Sequence, residues 1–323
     1  MRRLFGRKLH ERWISNDVGE TKDERPQIAA LQKEGPTSQK SFPVGIKALY
    51  SSQWSVVDIV FVHGLTGDRE KTWALENQEP WPKTLLPTEL PNIRVLTFGY
   101  DANVVNLGGV VSENRIANHT MNLITALASY REKDDTQERP IIFVCHSLGG
   151  PVCQDALIHA RERPELHLKQ IYFCCRGIVF LGTPHRGAGL AKWGEMLARA
   201  LGLIKQTNSG ILEVLTRETE VLARVQDGFF TMIRSRNQEK LPPVDITCFF
   251  EELPLAGIGL VVPRESAAVP GYIPISIRQN HMDMTKFAYD EDPGFTAVVG
   301  ELRRWIRQIA NPIPKPAESP KCT

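Results

Sequence analysis

Residues 141–150 read IIFVCHSLGG, an apolar run that gives way to small residues directly after Ser147. A short, continuous apolar run such as residues 141–145 is typical of a strand that is buried on both faces of a parallel sheet. Residues 148–161 follow with a helical pattern, and Pro151 is tolerated because it falls in the first turn of that helix. The stretch therefore predicts a strand, a tight turn at Ser147 and a helix.

The turn matches the pattern G-x-S-x-G, except that Cys145 replaces the first glycine. In a nucleophile elbow of this kind the serine sits on a strained strand-to-helix turn, and small neighbours let the strand and the helix approach each other. Cysteine is small enough for the first position, although it leaves less room than glycine. Because a predicted strand and a predicted helix flank the motif, we expect Ser147 to be a catalytic nucleophile.

Short apolar runs like residues 141–145 recur along the chain. They cover residues 56–62, 93–98, 177–181, 246–250 and 273–277. Helical patterns separate them, at residues 116–130 and again, most clearly, at residues 295–309. This alternation predicts an α/β protein with a mostly parallel central sheet and helices on both faces. Residues 187–240 carry no strand pattern, and we interpret them as a helical insertion.

The composition of the 323 residues excludes several classes of protein. The 39 Lys+Arg and 37 Asp+Glu residues leave a formal net charge of +2, so a nucleic-acid partner is not expected. The sequence contains no run of 18 apolar residues, which is about the length that a membrane-spanning helix needs. The six cysteines form no C-x-x-C pair and no zinc-like cluster, which predicts no metal site and favours a reducing compartment.

Three regions differ in composition. Residues 1–43 are basic and then polar, which predicts a disordered arm, with a basic amphipathic helix or a weak mitochondrial presequence at residues 1–12 as the alternative. Residues 44–310 are predicted to form the folded domain. Residues 311–323 are rich in proline and are predicted to be a disordered tail.

A serine hydroxyl is a poor nucleophile at neutral pH and needs an adjacent base. In folds with this elbow the chain order is serine, acid, histidine. His281 follows the last predicted strand, where that order places the base. His159 and His167 lie in or just after the helix that follows Ser147 and cannot reach back over it, while His185 precedes every plausible acid.

The acid is expected at the carboxyl end of the preceding strand, because the sites of open parallel sheets gather there. Residues 246–250 are followed by Glu251 and Glu252, and we prefer Glu251 because it is closer to the strand end. Its carboxylate would orient the imidazole and stabilise its positive charge. Glu252 and Glu265 are the next choices. Asp283 follows the histidine and is predicted to cap a loop.

An oxyanion needs preorganised backbone N–H groups. One is expected from Leu148, the residue after the nucleophile, and the second from the loop after an early strand. That loop reads His63-Gly64-Leu65-Thr66-Gly67, and Leu65 is the predicted donor. His63 precedes the elbow in the chain, so we expect it to shape the loop.

Several of these motifs occur in an order that is known from one family. The order is His63-Gly64-Leu65, the Trp73 and Trp81 region, residues 96–102 (LTFGYDA), the Ser147 elbow, residues 182–185 (GTPH) and residues 280–283 (NHMD). Together they resemble the serine-active-site-containing, lipase-like α/β-hydrolases over roughly residues 44–308. The resemblance implies the α/β-hydrolase fold, catalytic roles for Ser147, His281 and a nearby glutamate, a lipid or other acyl-ester substrate, and no cofactor. It also implies an intracellular location, either in the cytoplasm or at a mitochondrial or endoplasmic-reticulum membrane, with peripheral membrane contact.

Three functions stay open from the sequence. A serine esterase or lipase working through an acyl-enzyme is favoured, because all of its residues occur in the right chain order. A lipid acyltransferase would use the same residues with a different acceptor, and a catalytically weak protein-interaction module could occupy the same scaffold. Apolar residues of the insertion, such as Phe229 and Phe230, would either form a lid that admits lipid or pack as core against the sheet.

Overall fold

The computed structural model of the protein describes residues 44–64, 67–100, 115–185, 196, 199 and 209–311. The predicted N-terminal arm and almost all of the predicted tail lie outside these residues, so the predictions for them stay predictions.

A seven-stranded sheet in the order β1-β3-β2-β4-β5-β6-β7 forms the centre of the fold. Its strands are β1 (Gly45–Ser51), β2 (Asp58–Val62), β3 (Arg94–Gly99), β4 (Ile141–His146), β5 (Cys175–Leu181), β6 (Asp245–Glu251) and β7 (Ile273–Ile277). β1 runs antiparallel to β3, and all the other neighbouring strands are parallel. The predicted α/β class with a mostly parallel sheet is therefore confirmed, and each predicted strand is found within about two residues of its expected ends.

Strand β1 was not among the predicted strands. It pairs with β3 from Gly45 opposite Gly99 to Ser51 opposite Arg94, with an irregularity between Ala48 and Tyr50. All of its residues are half-buried or exposed. The strand therefore tolerates polar residues such as Lys47, and its sequence shows no continuous apolar run. The strand was missed because a half-buried strand alternates in polarity, and the bulge interrupts even that alternation.

Helices cover both faces of the sheet. In the described residues they are α1 (Trp81–Thr84), α2 (Leu86–Glu89), α3 (Arg115–Lys133), α4 (Gly149–Glu162), α5 (Leu166–Cys174), α6 (Ser209–Ser235), α7 (Arg264–Ala267) and α8 (Pro293–Ala310), with a 3₁₀ turn at Lys71–Trp73. One apolar core joins the sheet to α3, α4, α5 and α6, and a second joins it to α1, α2 and α8. None of these helices is long and apolar enough to cross a membrane.

The two cores are separated by the alternation of side chains along each strand. On β2, Val60 and Val62 belong to the first core, whereas Ile59 and Phe61 belong to the second. All four side chains are fully buried. This is why the sequence of β2 reads as a continuous apolar run and was recognisable as a central strand.

Helix α6 lies within the predicted insertion. Leu222, Val225, Phe229 and Met232 recur every three or four residues and are buried, as expected for one face of a helix. The Phe229 ring packs edge-on against Phe180 of β5, with 6.4 Å between the ring centroids. This face of α6 therefore belongs to the core, and it is not available as the lipid-facing side of a lid.

A buried carboxylate joins the amino-terminal ends of the central strands. Asp58 begins β2 and accepts two hydrogen bonds of 2.8 Å from Arg94, which begins β3. Arg131 of α3 donates to the same carboxylate, and Arg139 lies 3.2 Å from it. Because Asp58 is fully buried, these arginines supply the hydrogen bonds and the opposite charge that a buried carboxylate needs.

We expect the substitution Asp58→Asn to lower the free energy of unfolding by about 3–5 kcal/mol, because it leaves buried arginines without their counter-charge. The control is Asp134→Asn, which removes the carboxylate 3.1 Å from the same Arg94. Asp134 is 43% exposed, so its loss is expected to cost less than about 1 kcal/mol. Urea unfolding of both variants measures the difference, and equal losses would contradict the role given to Asp58.

Candidate active site

The predicted catalytic residues lie together at the carboxyl edge of the sheet. Ser147 follows the last residue of β4, Glu251 is the last residue of β6, and His281 lies four residues after β7 ends at Ile277. These strands are parallel, so their carboxyl ends share one edge. The topology thus brings Ser147 together with two residues that are more than a hundred positions further along the chain.

The backbone of Ser147 adopts the left-handed conformation, with φ of 51°. Its N–H donates to the carbonyl of Leu181 at the end of β5 (2.9 Å). Its carbonyl accepts from Gly150 N–H and from the Thr183 hydroxyl, both at 3.1 Å. Contacts on both sides therefore hold a conformation that costs energy for a residue with a side chain.

Glycines let the neighbouring segments approach this turn. A Cβ atom on Gly64 would lie 2.8 Å from Ser147 Cβ, and one on Gly149 would lie 2.4 Å from the carbonyl oxygen of Val62. Both distances are shorter than non-bonded contacts allow. Cys145, which stands where the pattern has its first glycine, is fully buried in the core on the α4 side of the sheet, so the elbow accommodates it.

The three side chains form a hydrogen-bonded line. Ser147 Oγ lies 3.1 Å from His281 Nε2, and His281 Nδ1 lies 2.7 Å from Glu251 Oε2. Since a carboxylate only accepts, Nδ1 carries the proton and Nε2 is left to accept from the serine hydroxyl. All three residues are no more than 2% exposed. The geometry is that of a nucleophile, a base and an orienting acid.

Glu251 is fixed by its other oxygen. Oε1 accepts hydrogen bonds from the backbone N–H groups of Val261 (the shorter contact) and Val262 (3.0 Å). These two donors fix the position of the carboxylate. Oε2 is therefore free to serve the imidazole alone.

The other acidic candidates stand apart from this line. Glu252 and Glu265 are both exposed, and no described contact joins either of them to His281. Asp283 accepts from the Asn280 side chain at 2.8 Å, as expected of a residue that caps a loop. In the described part of the chain, no three His, Cys, Asp or Glu side chains are placed to hold a metal ion.

The other downstream histidines do not reach Ser147. His185 is buried, its backbone N–H donates to Ser266 O at 2.6 Å, and its Nδ1 lies 3.3 Å from Gln154 Nε2. Burial lowers the pKa of His185 to about 3, so its ring is neutral. His159 pairs with a carboxylate on its own helix α4, and His167 lies in α5, a helix that the sequence patterns did not predict.

One of the two predicted oxyanion donors can be placed. Leu148 is the N-cap residue of α4, and the first N–H groups of a helix have no acceptor inside the helix. Its N–H is therefore available to an anion next to Ser147, at the positive end of the helix dipole. Leu65 lies outside the described residues, so its role as the second donor stays a prediction.

His63 shapes the loop that passes Ser147. Its Nδ1 lies 2.9 Å from the carbonyl oxygen of Gly64, and its Nε2 accepts from the backbone N–H of Tyr100 at 3.4 Å. The ring stacks on the Tyr100 ring, with 4.3 Å between the centroids. Burial is the main cause that lowers the pKa of His63 to about 4, so the ring is neutral. These contacts agree with a loop-shaping role.

Thr183 is a site residue that the sequence patterns did not predict. Its hydroxyl bonds the carbonyl of Ser147, and its side chain fills the space that a Cβ on Gly150 would need. The signal was present in the motif Gly182-Thr183-Pro184-His185. That motif follows β5, whose carboxyl end lies next to the elbow.

The strand order, the elbow and the position of the histidine after the last strand confirm the α/β-hydrolase fold. No protein-family model matches the chain. The chain is similar to Protein SERAC1 of Homo sapiens, with 28% identity over 287 residues that cover 80% of this chain and 41% of the relative. It is 26% identical to Protein SERAC1 of Mus musculus over 315 residues, covering 86% of this chain and 45% of the relative. The chain thus spans less than half the length of these curated relatives.

Solved structures with a similar fold include an esterase B from Lactobacillus rhamnosis and MenH from S. aureus. For the esterase the sequence identity is 12% and the TM-score is 0.43, and the match covers 81% of this chain and 79% of the esterase chain. For MenH the sequence identity is 13% and the TM-score is 0.41, and the match covers 83% of this chain and 99% of the MenH chain.

The left-handed backbone of Ser147 predicts a stability difference between two variants that lack the hydroxyl. Both Ser147→Ala and Ser147→Gly remove the hydroxyl, but only glycine adopts this conformation without steric cost. We expect Ser147→Gly to be more stable than Ser147→Ala by about 1 kcal/mol in free energy of unfolding. Chemical denaturation of the two variants tests this, and an alanine variant of equal or greater stability would show that the turn is not strained.

Proposed function

We propose that the chain is a serine hydrolase that cleaves an acyl ester through an acyl-enzyme intermediate. The observation that carries the proposal is the hydrogen-bonded line from Ser147 through His281 to Glu251. Its two bonds measure 3.1 and 2.7 Å, and each end of the line is held by backbone groups. A fold alone does not specify an activity, but this arrangement of groups is suited to acyl transfer.

In the first half of the proposed reaction, Ser147 Oγ attacks the acyl carbon while His281 Nε2 takes the hydroxyl proton. Glu251 stays ionised and stabilises the imidazolium that forms. The N–H of Leu148 faces the oxyanion, and the N–H of Leu65, the donor predicted from the sequence, is the second. The ester C–O bond then breaks, and His281 returns its proton to the departing alkoxide.

The second half repeats these steps with water. His281 removes a proton from a water molecule, whose oxygen attacks the acyl carbon of the acyl-enzyme. The bond to Ser147 Oγ breaks, and the serine takes back the proton from His281. The products are a carboxylic acid and an alcohol, and the side chains are restored.

A fluorophosphonate probe tests for the activated serine. We expect the wild-type protein to be labelled and the variant Ser147→Ala not to be labelled. His281→Ala and Glu251→Gln should lower the labelling rate by about 10³–10⁴-fold and about 10²–10⁴-fold, because they remove the base and its orienting partner. Glu252→Gln is the matched control, since it changes the adjacent but exposed glutamate.

The control should keep a labelling rate within about twofold of the wild type, as a surface substitution away from the reacting groups does. A folded wild-type protein that is not labelled would reject the hydrolase proposal. The alternative of an interaction module on this scaffold would then take its place.

We further propose that the ester is a lipid and that the protein contacts a lipid surface next to its active site. The apolar hairpin, residues 253–260, follows Glu251 and carries exposed Leu253 and Leu260. No charged side chain occurs from residue 253 to residue 263, which suits insertion into a lipid surface. An intracellular location, in the cytoplasm or at a mitochondrial or endoplasmic-reticulum membrane, is implied by the family resemblance and belongs to the same proposal.

The apolar hairpin contacts the segment that leads to His281, and it also leads into the residues that hold Glu251. Glu252 N–H donates to Ile277 O at 3.0 Å, and Leu253 N–H donates to Gln279 O at 3.2 Å, two residues before His281. At its other end the hairpin leads into Val261 and Val262, whose N–H groups hold Glu251. A lipid surface that receives the hairpin would therefore lie next to the reacting groups.

The double substitution Leu253→Glu with Leu260→Glu tests the lipid contact. We expect it to lower vesicle binding and the hydrolysis of vesicle-borne lipid esters by about tenfold, because charge replaces the apolar contact. Hydrolysis of a short, water-soluble ester should not change. Ile273→Glu is the control, since Ile273 is 54% exposed but begins β7, at the opposite end of the sheet. Equal vesicle binding by the double variant and the control would contradict the assignment to the hairpin.

A further inference from the structure

The residue immediately before the nucleophile contacts the loop of the catalytic base. His146 is the last residue of β4 and is buried. Its Nε2 lies 3.0 Å from the backbone carbonyl oxygen of His281, and the two rings lie 5.0 Å apart between centroids. We propose that His146 is a positioning residue, which fixes the catalytic base by holding the main chain of His281. The inference rests on the proposed function, since positioning the base matters only if Ser147 and His281 react.

The direction of this hydrogen bond follows from its acceptor. A carbonyl oxygen cannot donate, so Nε2 of His146 must carry the proton and donate it to His281 O. Nδ1 of His146 is then unprotonated when the ring is neutral. Of the two ring nitrogens, the bond therefore requires the one farther from the backbone, and this sets the length that a replacement side chain must have.

The loop around His281 makes its own turn without using this carbonyl. The Asn280 side chain accepts from the N–H groups of Met282 (2.9 Å) and Asp283 (3.1 Å), and the Asn280 carbonyl accepts from Met284 N–H at 3.0 Å. No backbone N–H in the described ranges donates to His281 O. The turn is closed around the neighbours of His281, and His146 supplies the bond at His281 itself.

His146 can make this bond without adding charge to the site. Burial is the main cause that lowers the pKa of His146 well below its usual value, and the charges of His281, His63 and Lys286 lower it further. The hydrogen bond to the His281 carbonyl acts in the opposite direction and offsets only part of this lowering. The ring therefore stays neutral when His281 takes the serine proton and becomes positively charged. A lysine or arginine could also donate to the carbonyl, but its charge would oppose the imidazolium.

The last residue of β4 and the residue that follows it thus determine the position of the base. Ser147 meets the imidazole of His281 at Nε2, while His146 holds the backbone of the same residue. Because β4 lies in the middle of the sheet and is fully buried, both contacts start from the same rigid segment. A displacement of about 1 Å between reacting groups can cost about 10²-fold in rate.

Three variants at position 146 separate this bond from other effects of the ring. Gln has an amide nitrogen that can reach as far as Nε2, Asn has the same group but reaches only as far as Nδ1, and Phe keeps the ring without a donor. We expect His146→Gln to keep kcat for a soluble ester within about fivefold of the wild type. His146→Asn and His146→Phe should lower kcat by about 10–100-fold with little change in KM.

Thermal unfolding and circular dichroism confirm that each variant is folded before its rates are compared, and fluorophosphonate labelling should slow in parallel with kcat. If folded His146→Phe keeps the kcat of the wild type, or if Gln and Asn lower kcat equally, the proposal is wrong. Failure of the hydrolase proposal has a different signature, because the wild-type protein itself would then show neither turnover nor labelling.

Discussion

The left-handed backbone of Ser147 is the constraint on which the rest of the site depends. A side chain in that conformation has to be held there, and the carbonyl of Leu181, the N–H of Gly150 and the hydroxyl of Thr183 hold it. The same turn requires a bare backbone at Gly64 and Gly149, because both segments pass within contact distance. The strained turn thereby presents the hydroxyl at the sheet edge where the other two side chains meet.

The two ends of the sheet have different tasks. At the amino-terminal ends of β2 and β3, Asp58 and its arginines form a buried ionic cluster that joins strands to helix α3. At the carboxyl ends, Glu251 is also buried, but backbone N–H groups hold one oxygen and the imidazole takes the other. A carboxylate surrounded by several cations serves stability, whereas one paired with an imidazole is suited to the proposed proton transfer.

Most of the fold and the line of three side chains could be predicted, because strands that are buried on both faces consist of apolar residues and are visible as such in the sequence. Strands β2 and β4 are buried on both faces and read as apolar runs, whereas β1 is half-exposed and bulged and was missed. Choosing Glu251 over Glu252 depended on one residue at a strand end, a position that patterns locate poorly. The donors at Val261 and Val262 are backbone groups, which no residue type reveals. His146 escaped notice because its partner is a carbonyl 135 positions away.

The covering of the central strands by α8 has a consequence for synthesis of the chain on the ribosome. The faces of β4 and β5 that carry Val144 and Val179 share one apolar core with Val298 and Trp305 of α8. The Trp305 ring lies over Gly177, where a Cβ would come within 2.5 Å. More than a hundred residues separate β5 from α8. At about 5–20 residues per second, the ribosome needs on the order of 10 s to make them. Throughout that interval β4 and β5 lack the helix that covers this part of the apolar face in the finished fold.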